Sequence, residues 1–390
     1  MDESEVNTTT YDVVIQGAGP VGLACAGWLL QKNPDLRLLL LDKNSEDDAS
    51  IASGDNRGIA ISEGSRLLLG TLNAWPENSP AIHQVNVSQR GHFGRAVMTR
   101  EEIGQTALGH IVRYADIHLA LRQSLKAIQK KSSRFEWRFN ADTSMSLQDK
   151  ITEGCCVIHA EGGLFHEQSN KDKRHDYQQS ALVGWIGADK IIPNQAWERF
   201  TPEGPLALLP NHRGPSFLNM VWCGSPAETQ RRLESNPADL LSELQVSFGH
   251  FVGRFTSIND LRAYPLGLNV RNEIVVNHEV WIGNAAQTLH PVAGQGLNLG
   301  LRDAATLSGC LSPVMIAPNR HQRLLQSLKE YSRIRQGDRQ ATIGSTDFLA
   351  RVFTSNIYPV ILARGAALSA LQWFPRIKSA LARQMMFGQR

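Results

Sequence analysis

The chain has 390 residues, 42% apolar and 20% charged, and a formal net charge of +3. This length predicts two domains, or one large domain with an insertion. The small net charge argues against a nucleic-acid partner, because phosphate binding needs clustered Lys and Arg. The acidic start, MDESEVNTTT, is unlike a secretory signal and predicts a cytoplasmic protein. The five cysteines form no C-x-x-C motif, so we expect reduced, mostly buried thiols.

The N-terminal segment predicts a βαβ unit. Residues 11–17, YDVVIQG, are apolar and β-branched and end at a glycine, which indicates a buried strand. A helix is expected from about residue 20 to residue 31, where Asn33-Pro34 ends it. LRLLLLD (36–42) then predicts a second buried strand that ends in an acid.

The rest of the chain changes character several times. A helix is expected at 114–130, and the polar stretch 166–180 predicts a solvated surface loop. Short apolar runs between 180 and 265, separated by Pro and Gly, predict an antiparallel second domain with a helix near 236–249. Residues 280–310 return to a strand, a Gly-rich turn and a helix, and the last 45 residues look helical. The apolar stretches 13–30 and 357–386 are interrupted, so neither predicts a membrane-spanning helix.

GAGPVG, from Gly17 to Gly22, fits the G-x-G-x-x-G fingerprint of dinucleotide-binding turns. Gly17 makes the tight turn, Gly19 lets backbone N–H groups approach a pyrophosphate, and Gly22 lets the helix pack closely on the strand. The helix N-terminus adds a partial positive charge. Asp42, at the end of the second strand, is placed to accept hydrogen bonds from a ribose. A turn that holds no ligand is the alternative.

A second Gly-rich turn lies about 260 residues downstream, in WIGNAAQTLHPVAGQGLNLG (281–300). We expect a turn from Pro291 to Gly296 and a helix from Leu297. The N–H groups at 294–297 would then point out of this helix, toward a second negative centre. The N1–C2 carbonyl region of a reduced flavin is such a centre. In the alternative interpretation, the glycines only permit close packing.

Together these motifs resemble the single-component, flavin-dependent aromatic hydroxylases, and the match covers almost the whole chain. The ubiquinone-biosynthesis branch, and within it the polyprenyl-methoxyphenol hydroxylases, is the most similar. The resemblance rests on GAGPVG (17–22), D-x-R (55–57), SQRGHFG (88–94), DYQQSA (176–181), ERFTPEGPLALLP (198–210), AYPL (263–266), GNAAQTLHPVAGQGLN (283–298) and DRQATIGSTD (338–347).

Two departures from the wider family stand out. Asn284 and Gln287 replace the Asp and His that are usual there, although the polyprenyl-methoxyphenol branch also reads GNAAQTLHP. The family's A-D-G-x-x-S motif, associated with FAD and reduced nicotinamide, corresponds here to AEGGLF (160–165), in which Glu161 keeps the charge and Leu164 is apolar. This change leaves open how the protein receives its electrons.

The resemblance implies an α/β fold: a Rossmann-like FAD-binding domain, an inserted antiparallel-sheet substrate domain and C-terminal helices. The FAD-binding domain would comprise 1–75, 96–165 and 266–345, the substrate domain 76–95 and 166–265, and the helical segment 346–390. The implied reaction is hydroxylation of the aromatic ring of a polyprenylated methoxyphenol in ubiquinone biosynthesis. It would use O₂, FAD and NADH or NADPH, through a flavin hydroperoxide.

The resemblance also assigns residues. The adenosine and pyrophosphate half of FAD would be held by Gly17, Gly19, Gly22, Asp42 and Arg57, and the pyrophosphate or ribityl chain by Asn284. The flavin ring would face Pro291, Gly294, Gln295, Gly296, Leu297 and Asn298. His290 is a candidate for assisting removal of the phenol proton, or is simply hydrogen-bonded in place. Tyr264 lines the substrate pocket or is a core aromatic. No metal-binding or nucleophile motif is present.

The C-terminal segment suggests how a lipid-like substrate is reached. Residues 351–390 contain no acid and six cations: Arg351, Arg364, Arg376, Lys378, Arg383 and Arg390. Such a segment predicts contact with an anionic membrane surface or with other ubiquinone-biosynthesis proteins, or else a helical cap on the FAD domain. The rival functions are a nicotinamide dehydrogenase, which leaves the second turn unexplained, and a non-catalytic or externally reduced flavin-binding subunit of a ubiquinone-biosynthesis assembly.

Overall fold

The computed structural model describes residues 11–45, 57–130, 132, 134–141, 151–163, 165–315, 317, 319–353 and 357–388. Its strands are β1 Tyr11–Gln16, β2 Leu38–Leu41, β3 Gly58–Ser62, β4 Ala81–Ile82, β5 Gln84–Gln89, β6 Arg95–Thr99, β7 Gly109–Arg113, β8 Phe135–Arg138, β9 Ile151–His159, β10 Lys173–Ala188, β11 Gln195–Thr201, β12 Gly204–Pro210, β13 Phe217–Gly224, β14 Phe255–Val270, β15 Val275–Val276, β16 Glu279–Trp281 and β17 Gln287–Thr288.

Its α-helices are α1 Pro20–Lys32, α2 Glu63–Gly70, α3 Arg100–Ile103, α4 Tyr114–Gln129, α5 Pro226–Glu234, α6 Pro237–Phe248, α7 Gln295–Met315, α8 Arg320–Val352, α9 Tyr358–Trp373 and α10 Pro375–Phe387. Short 3₁₀ turns lie at Phe165–Glu167, Gly283–Ala285 and Val292–Gly294. In the described part of the chain, no helix is long and apolar enough to cross a membrane.

A six-stranded sheet with the order β15-β16-β9-β1-β2-β8 forms the first layer. Residues 13–16 of β1 pair in parallel with 38–41 of β2 on one side and with 156–159 of β9 on the other. All of β1 and β2 is buried, as expected for central strands of a parallel sheet. The predicted βαβ unit is therefore confirmed, and the carboxyl ends of β1, β2 and β9 meet at one edge of this sheet.

An eight-stranded sheet with the order β17-β14-β10-β13-β12-β11-β5-β6 forms the second layer, antiparallel except where β11 pairs with β5. Its outer face packs on α6: Leu208, Met220 and Trp222 join Leu244 and Phe248 in one buried cluster. Because strand side chains alternate between the two faces, the intervening residues of β12 and β13 point to the opposite side.

The prediction of a surface loop over residues 166–180 is wrong from Lys173 onward. Residues 173–180 continue into the long strand β10, which pairs with β14 through register shifts. The stretch is polar because many of its side chains remain partly or fully exposed. The polar composition of this stretch was therefore not enough to distinguish a strand with a solvent-exposed face from a loop. The α/β fold class, with its second sheet and C-terminal helices, is confirmed, whereas the domain boundaries stay a prediction.

Candidate active site

The first glycine turn has the geometry that its three glycines predict. Gly17 has φ +99°, and a Cβ there would lie 2.8 Å from the Ala160 carbonyl oxygen. A Cβ on Gly22 would lie 2.0 Å from the Gly17 carbonyl oxygen, so α1 packs on β1 at a distance that only glycine permits. Around Gly19 the nearest atom would be the Tyr114 hydroxyl at 3.9 Å. The middle glycine thus faces open space at the N-terminus of α1, as pyrophosphate binding requires.

Asp42 follows β2 at the same sheet edge, and its carboxylate is 3% exposed. Its Oδ1 accepts hydrogen bonds from the backbone and side-chain nitrogens of Asn44, at 3.1 and 3.2 Å. Among the described residues, no donor reaches the buried Oδ2. A buried carboxylate oxygen normally has a partner, so this atom fits the ribose hydroxyl predicted for it.

Arg57 connects the first turn with the second sheet. Its guanidinium lies 5.6 Å from the Tyr114 ring centroid and 4.7 Å from that of Tyr264. Asp55, the other charged residue of the D-x-R motif, lies outside the described residues. Tyr264 stands on β14 and contacts this arginine, but it is not among the described residues that line the cavity below. Tyr264 therefore contacts a cavity-lining residue, and its place in a substrate pocket stays a prediction.

The second glycine turn also forms a helix N-terminus, although α7 begins at Gln295, two residues before the expected start. Gly294 has φ +59°, and a Cβ there would lie 2.8 Å from the Ala60 Cβ. The Gly294 N–H donates to the Pro291 carbonyl oxygen (2.9 Å), so this group is already used within the turn. Gly296 has no atom within 4 Å of an added Cβ, so the start of the helix faces open space.

Asn298 holds this turn in position. Its Oδ1 accepts from the Ser62 backbone N–H at 2.8 Å, while its Nδ2 donates to the carbonyl oxygens of Ala60 (2.9 Å) and Gly294 (2.7 Å). The side-chain amide therefore ties β3 to the first turn of α7. Asn298 lines the cavity, as predicted for a residue facing the flavin, but its hydrogen bonds position the turn.

One cavity of about 590 Å³ connects the two glycine turns. Gly19 and Pro20 line it from the first turn, and residues 294–298 line it from the second. It continues along the inner face of the eight-stranded sheet to the C-terminal helices. Two helix N-termini thus face the same space, which is what a dinucleotide with a pyrophosphate and a reducible ring requires.

The loop that carries Asn284 is anchored from two sides. The Asn284 carbonyl oxygen accepts from Lys171 Nζ at 2.6 Å. Burial, together with Arg271 and Arg174, lowers the pKa of Lys171 to about 8. Asn284 and Gly283 both line the cavity, so the asparagine stands where a cofactor contact was predicted.

A buried ionic network beneath this loop was not foreseen from the sequence. Asp303 accepts from Arg335 Nε (2.8 Å) and from Gln287 Nε2 (2.7 Å), and Arg335 also pairs with Asp338 (2.7 Å). Gln287 in turn accepts from Arg339 Nε at 2.8 Å. The network joins α7 to α8 and fixes the loop before the second turn. The sequence feature that could have predicted it is the spacing of Arg335, Asp338 and Arg339, which are three and four residues apart and so lie on one side of α8.

His290 is fully buried beside the second turn. Its Nδ1 accepts from the Val292 N–H (3.2 Å), so the proton is on Nε2, which lies 3.2 Å from the Gln179 Oε1. Burial lowers the pKa of His290 to about 4. Both ring nitrogens are therefore used and the ring is neutral at pH 7. This arrangement favours the second expectation for His290, a histidine hydrogen-bonded in place.

The C-terminal helices close the far end of the cavity, and they use much of their charge internally. Lys378 is 2% exposed and its Nζ lies 2.6 Å from the Glu102 carboxylate. Arg364 donates to the Val352 carbonyl oxygen, and Arg351 is paired with an aspartate. Arg376 and Arg383 remain exposed. The basic surface is thus smaller than the count of cations suggests, because Arg364 and Lys378 are buried.

In the described part of the chain, no group of three or more His, Cys, Asp or Glu residues could hold a metal ion. The residues at both turns do fit FAD: open space at Gly19 and Gly296, two helix N-termini, and a buried carboxylate oxygen of Asp42 without a partner among the described residues.

The chain is similar to known proteins both in sequence and in fold. The chain is 29% identical to the ubiquinone hydroxylase UbiL of Rhodospirillum rubrum, covering 96% of this chain and 89% of UbiL. It is 27% identical to the 3-demethoxyubiquinol 3-hydroxylase of Escherichia coli K12, covering 93% of this chain and 94% of that protein. The crystal structure of p-nitrophenol 4-monooxygenase PnpA from Pseudomonas putida superposes with a TM-score of 0.73 at 15% identity, covering 98% and 99% of the two chains. No protein-family model matches the chain.

The fold is the one found in a class of solved proteins, the FAD-dependent monooxygenases, and the residues at both glycine turns fit the predicted FAD. Within that class, the chain resembles the ubiquinone-biosynthesis hydroxylases over nearly its whole length, as its motifs predicted.

Proposed function

We propose that this protein hydroxylates the aromatic ring of a polyprenylated methoxyphenol intermediate of ubiquinone biosynthesis, with FAD as cofactor, O₂ as oxygen donor and NADH or NADPH as reductant. The observation that carries the proposal is the single cavity that joins the two glycine turns to an apolar end among the C-terminal helices. The ubiquinone hydroxylases among its relatives support the same substrate class.

The chain's own residues would bind and orient the reactants. Gly17, Gly19 and Asp42 would hold the pyrophosphate and ribose, and Gly296 would leave the ring in contact with the start of α7. Bound FAD would supply the oxygen-transfer chemistry, after reduction by the nicotinamide. The apolar walls of the cavity would keep water away from the reacting oxygen, since exposure to water wastes the reductant as peroxide.

The far end of the cavity suits a prenyl tail. It lies between α8, α9 and α10 and carries only apolar side chains from α8 and α9, with Lys378 neutralised by its carboxylate partner. The residues that would contact the tail are Leu349, Phe353, Leu368, Leu371, Leu381 and Met385. Burying an isoprenoid chain against such a surface is favourable in proportion to the apolar area removed from water.

We further propose that the junction of α9 and α10 rests on a membrane surface and takes the substrate from it. Trp373 is 81% exposed, Phe374 57% and Ile377 58%, and Leu371 and Leu381 beside them line the cavity. Exposed aromatic and aliphatic side chains at a helix end are typical of interfacial anchors. With Lys378 buried, the apolar contact dominates, and the exposed Arg376 and Arg383 add an attraction to anionic lipid.

The function is tested by absorbance spectroscopy and product analysis. Purified protein with FAD receives NADH or NADPH without O₂, with and without a short-chain prenyl methoxyphenol, and O₂ is then admitted. We expect the flavin bands to bleach faster with the phenol, and the product to gain one oxygen atom by mass spectrometry. Flavin that binds but never bleaches would refute self-contained catalysis and favour an externally reduced or non-catalytic subunit.

The membrane contact is tested by sedimentation with neutral and with anionic lipid vesicles. We expect the variant Trp373→Ser, Phe374→Ser, Ile377→Ser to lose vesicle binding while keeping bound FAD. A matched control, Val246→Ser, removes a side chain that is 71% exposed on α6, away from this junction. Equal vesicle binding by all three proteins would refute the proposal.

A further inference from the structure

One carboxylate interrupts an otherwise apolar wall of the cavity. Glu198 stands on β11, and its half-buried side chain lines the cavity. Along β11 its same-face neighbours are Ala196 and Phe200; across the ladders it is opposite Ala207 and Val87. All four also line the cavity. Glu198 is the first residue of the motif ERFTPEGPLALLP (198–210).

Strand geometry explains why Glu198 lacks an obvious ion-pair partner. Successive residues of a strand point to opposite faces, so Arg199 turns to the outer side, where its Nε donates to the Ser247 carbonyl oxygen at 3.2 Å. Among the described residues, no hydrogen bond or ion pair to the Glu198 carboxylate is formed. Burial raises the pKa of Glu198 to about 7. A carboxylate in such surroundings is costly unless a ligand gives it a hydrogen bond.

The other titratable and charged groups that face this cavity have different tasks. On β13, two strands away in the same sheet, Cys223 is a buried thiol whose pKa is raised by burial and then by Glu198 itself. Lys378 is held by Glu102, and His290 uses both ring nitrogens. The remaining two, Arg57 and Tyr114, lie together beside the first glycine turn. Glu198 is therefore the acid-base group that this wall offers to a bound phenol.

We propose that the Glu198 carboxylate accepts the hydrogen bond and the proton of the substrate phenol while oxygen is transferred to the ring. The phenol O–H bond breaks, its proton moves to the carboxylate, and its electron pair stays on the phenol oxygen. That electron pair enriches the ring carbon that receives the electrophilic oxygen. The ring C–O bond forms as the O–O bond breaks, and the ring C–H proton then moves to the former phenol oxygen. The second oxygen atom of O₂ leaves as water, whose formation takes up the proton from Glu198; NADH or NADPH supplies the two electrons. This inference rests on the proposed function.

The kinetic test compares the wild type with Glu198→Gln, Glu198→Asp and the matched control Glu203→Gln. Glu203 is an exposed glutamate in the turn after β11, 3.6 Å from Arg90. Positioned proton transfer contributes roughly 10²–10⁴-fold. We expect wild-type kcat for hydroxylation to rise with pH and level off above about 7. Glu198→Gln should lose about 100-fold or more in kcat and lose this pH dependence, with KM changed only a few-fold. Glu198→Asp should recover part of the rate, and Glu203→Gln should match the wild type.

A second readout needs no turnover. A methoxy-nitrophenol, whose phenolate absorbs in the visible region, is bound to the FAD-loaded protein without reductant and titrated with base. In the wild type we expect two coupled steps, because the probe and Glu198 share a proton and the second ionisation is delayed by like charge. In Glu198→Gln only the phenol of the probe can ionise, so we expect a single step, at a lower pH than the second step of the wild type. Bound flavin absorbance reports whether each variant is folded.

The outcomes separate the two proposals. If the wild type makes no hydroxylated product from any prenylated methoxyphenol, the proposed function fails and this inference fails with it. If the wild type makes product but Glu198→Gln matches its kcat, its pH profile and its probe titration, only the role of Glu198 is overturned.

Discussion

Replacing Asp303 by Asn should destabilise the protein strongly, because this carboxylate is the centre of the buried network beneath the cofactor loop. Asp303 is 0% exposed and accepts three hydrogen bonds: from Arg335 Nε (2.8 Å), Gln287 Nε2 (2.7 Å) and the Gly283 N–H (3.3 Å). In either orientation, the amide nitrogen of Asn would face a donor. The change also removes one of two carboxylates that balance the buried guanidinium groups.

Breaking one side of a buried ion pair costs about 3–5 kcal/mol, and we expect a loss of this size in the free energy of unfolding. Urea unfolding at fixed FAD concentration, followed by tryptophan fluorescence, measures it. The matched control is Asp260→Asn, at an exposed position with φ +54°, which Asn accepts; its surface pair with Arg213 (3.4 Å) should contribute at most about 1 kcal/mol. A loss below about 1 kcal/mol in Asp303→Asn would refute the assigned role of the network.

Three further predictions follow from single residues. Gly22→Ala should abolish FAD binding, because its Cβ would lie 2.0 Å from the Gly17 carbonyl oxygen; Gly70→Ala, with no atom within 4 Å, should bind FAD normally in the same flavin-fluorescence titration. Asp42→Ala should weaken FAD about 10- to 100-fold, the equivalent of one charge-assisted hydrogen bond of about 1.5–3 kcal/mol, and an unchanged Kd would contradict the ribose contact. The pKa of Glu198 is raised from 4.5 to about 7 in the folded protein, so the folded state binds this proton more tightly than the unfolded state does. The free energy of unfolding should therefore fall as pH rises through this range. Thermal melts of Glu198→Gln as a function of pH should lack that fall.

The local elements of the site were predictable because they depend on short-range rules. The spacing of Gly17, Gly19 and Gly22 predicted a tight turn, an open approach and a close helix contact, and each appears at its glycine. The buried strands beside them were predictable from uninterrupted apolar runs. Helix α7 was also expected, with its start misjudged by two residues, a normal uncertainty at helix ends.

Other features depend on which side of an element faces which neighbour. The count of basic residues in the last forty positions suggested a charged surface, but Lys378 pairs with Glu102 and is buried. The polar stretch after residue 172 suggested a loop, but it is a strand because β14 supplies its backbone partners. The sequence left His290 as a candidate for acid-base chemistry, but in the structure both of its ring nitrogens form hydrogen bonds, with the Val292 N–H and the Gln179 side chain.

The amino-acid sequence by itself determined two turns that fit a dinucleotide cofactor, because the glycines and the acid after β2 impose their geometry on the backbone locally. Only the tertiary structure decided that both turns open into one cavity, that Glu198 points into it, and that Asp303 lies beneath it. The physical reason is that burial and hydrogen bonding are relations between distant segments. A carboxylate becomes a candidate base or a structural anchor only through the side chains that folding brings around it.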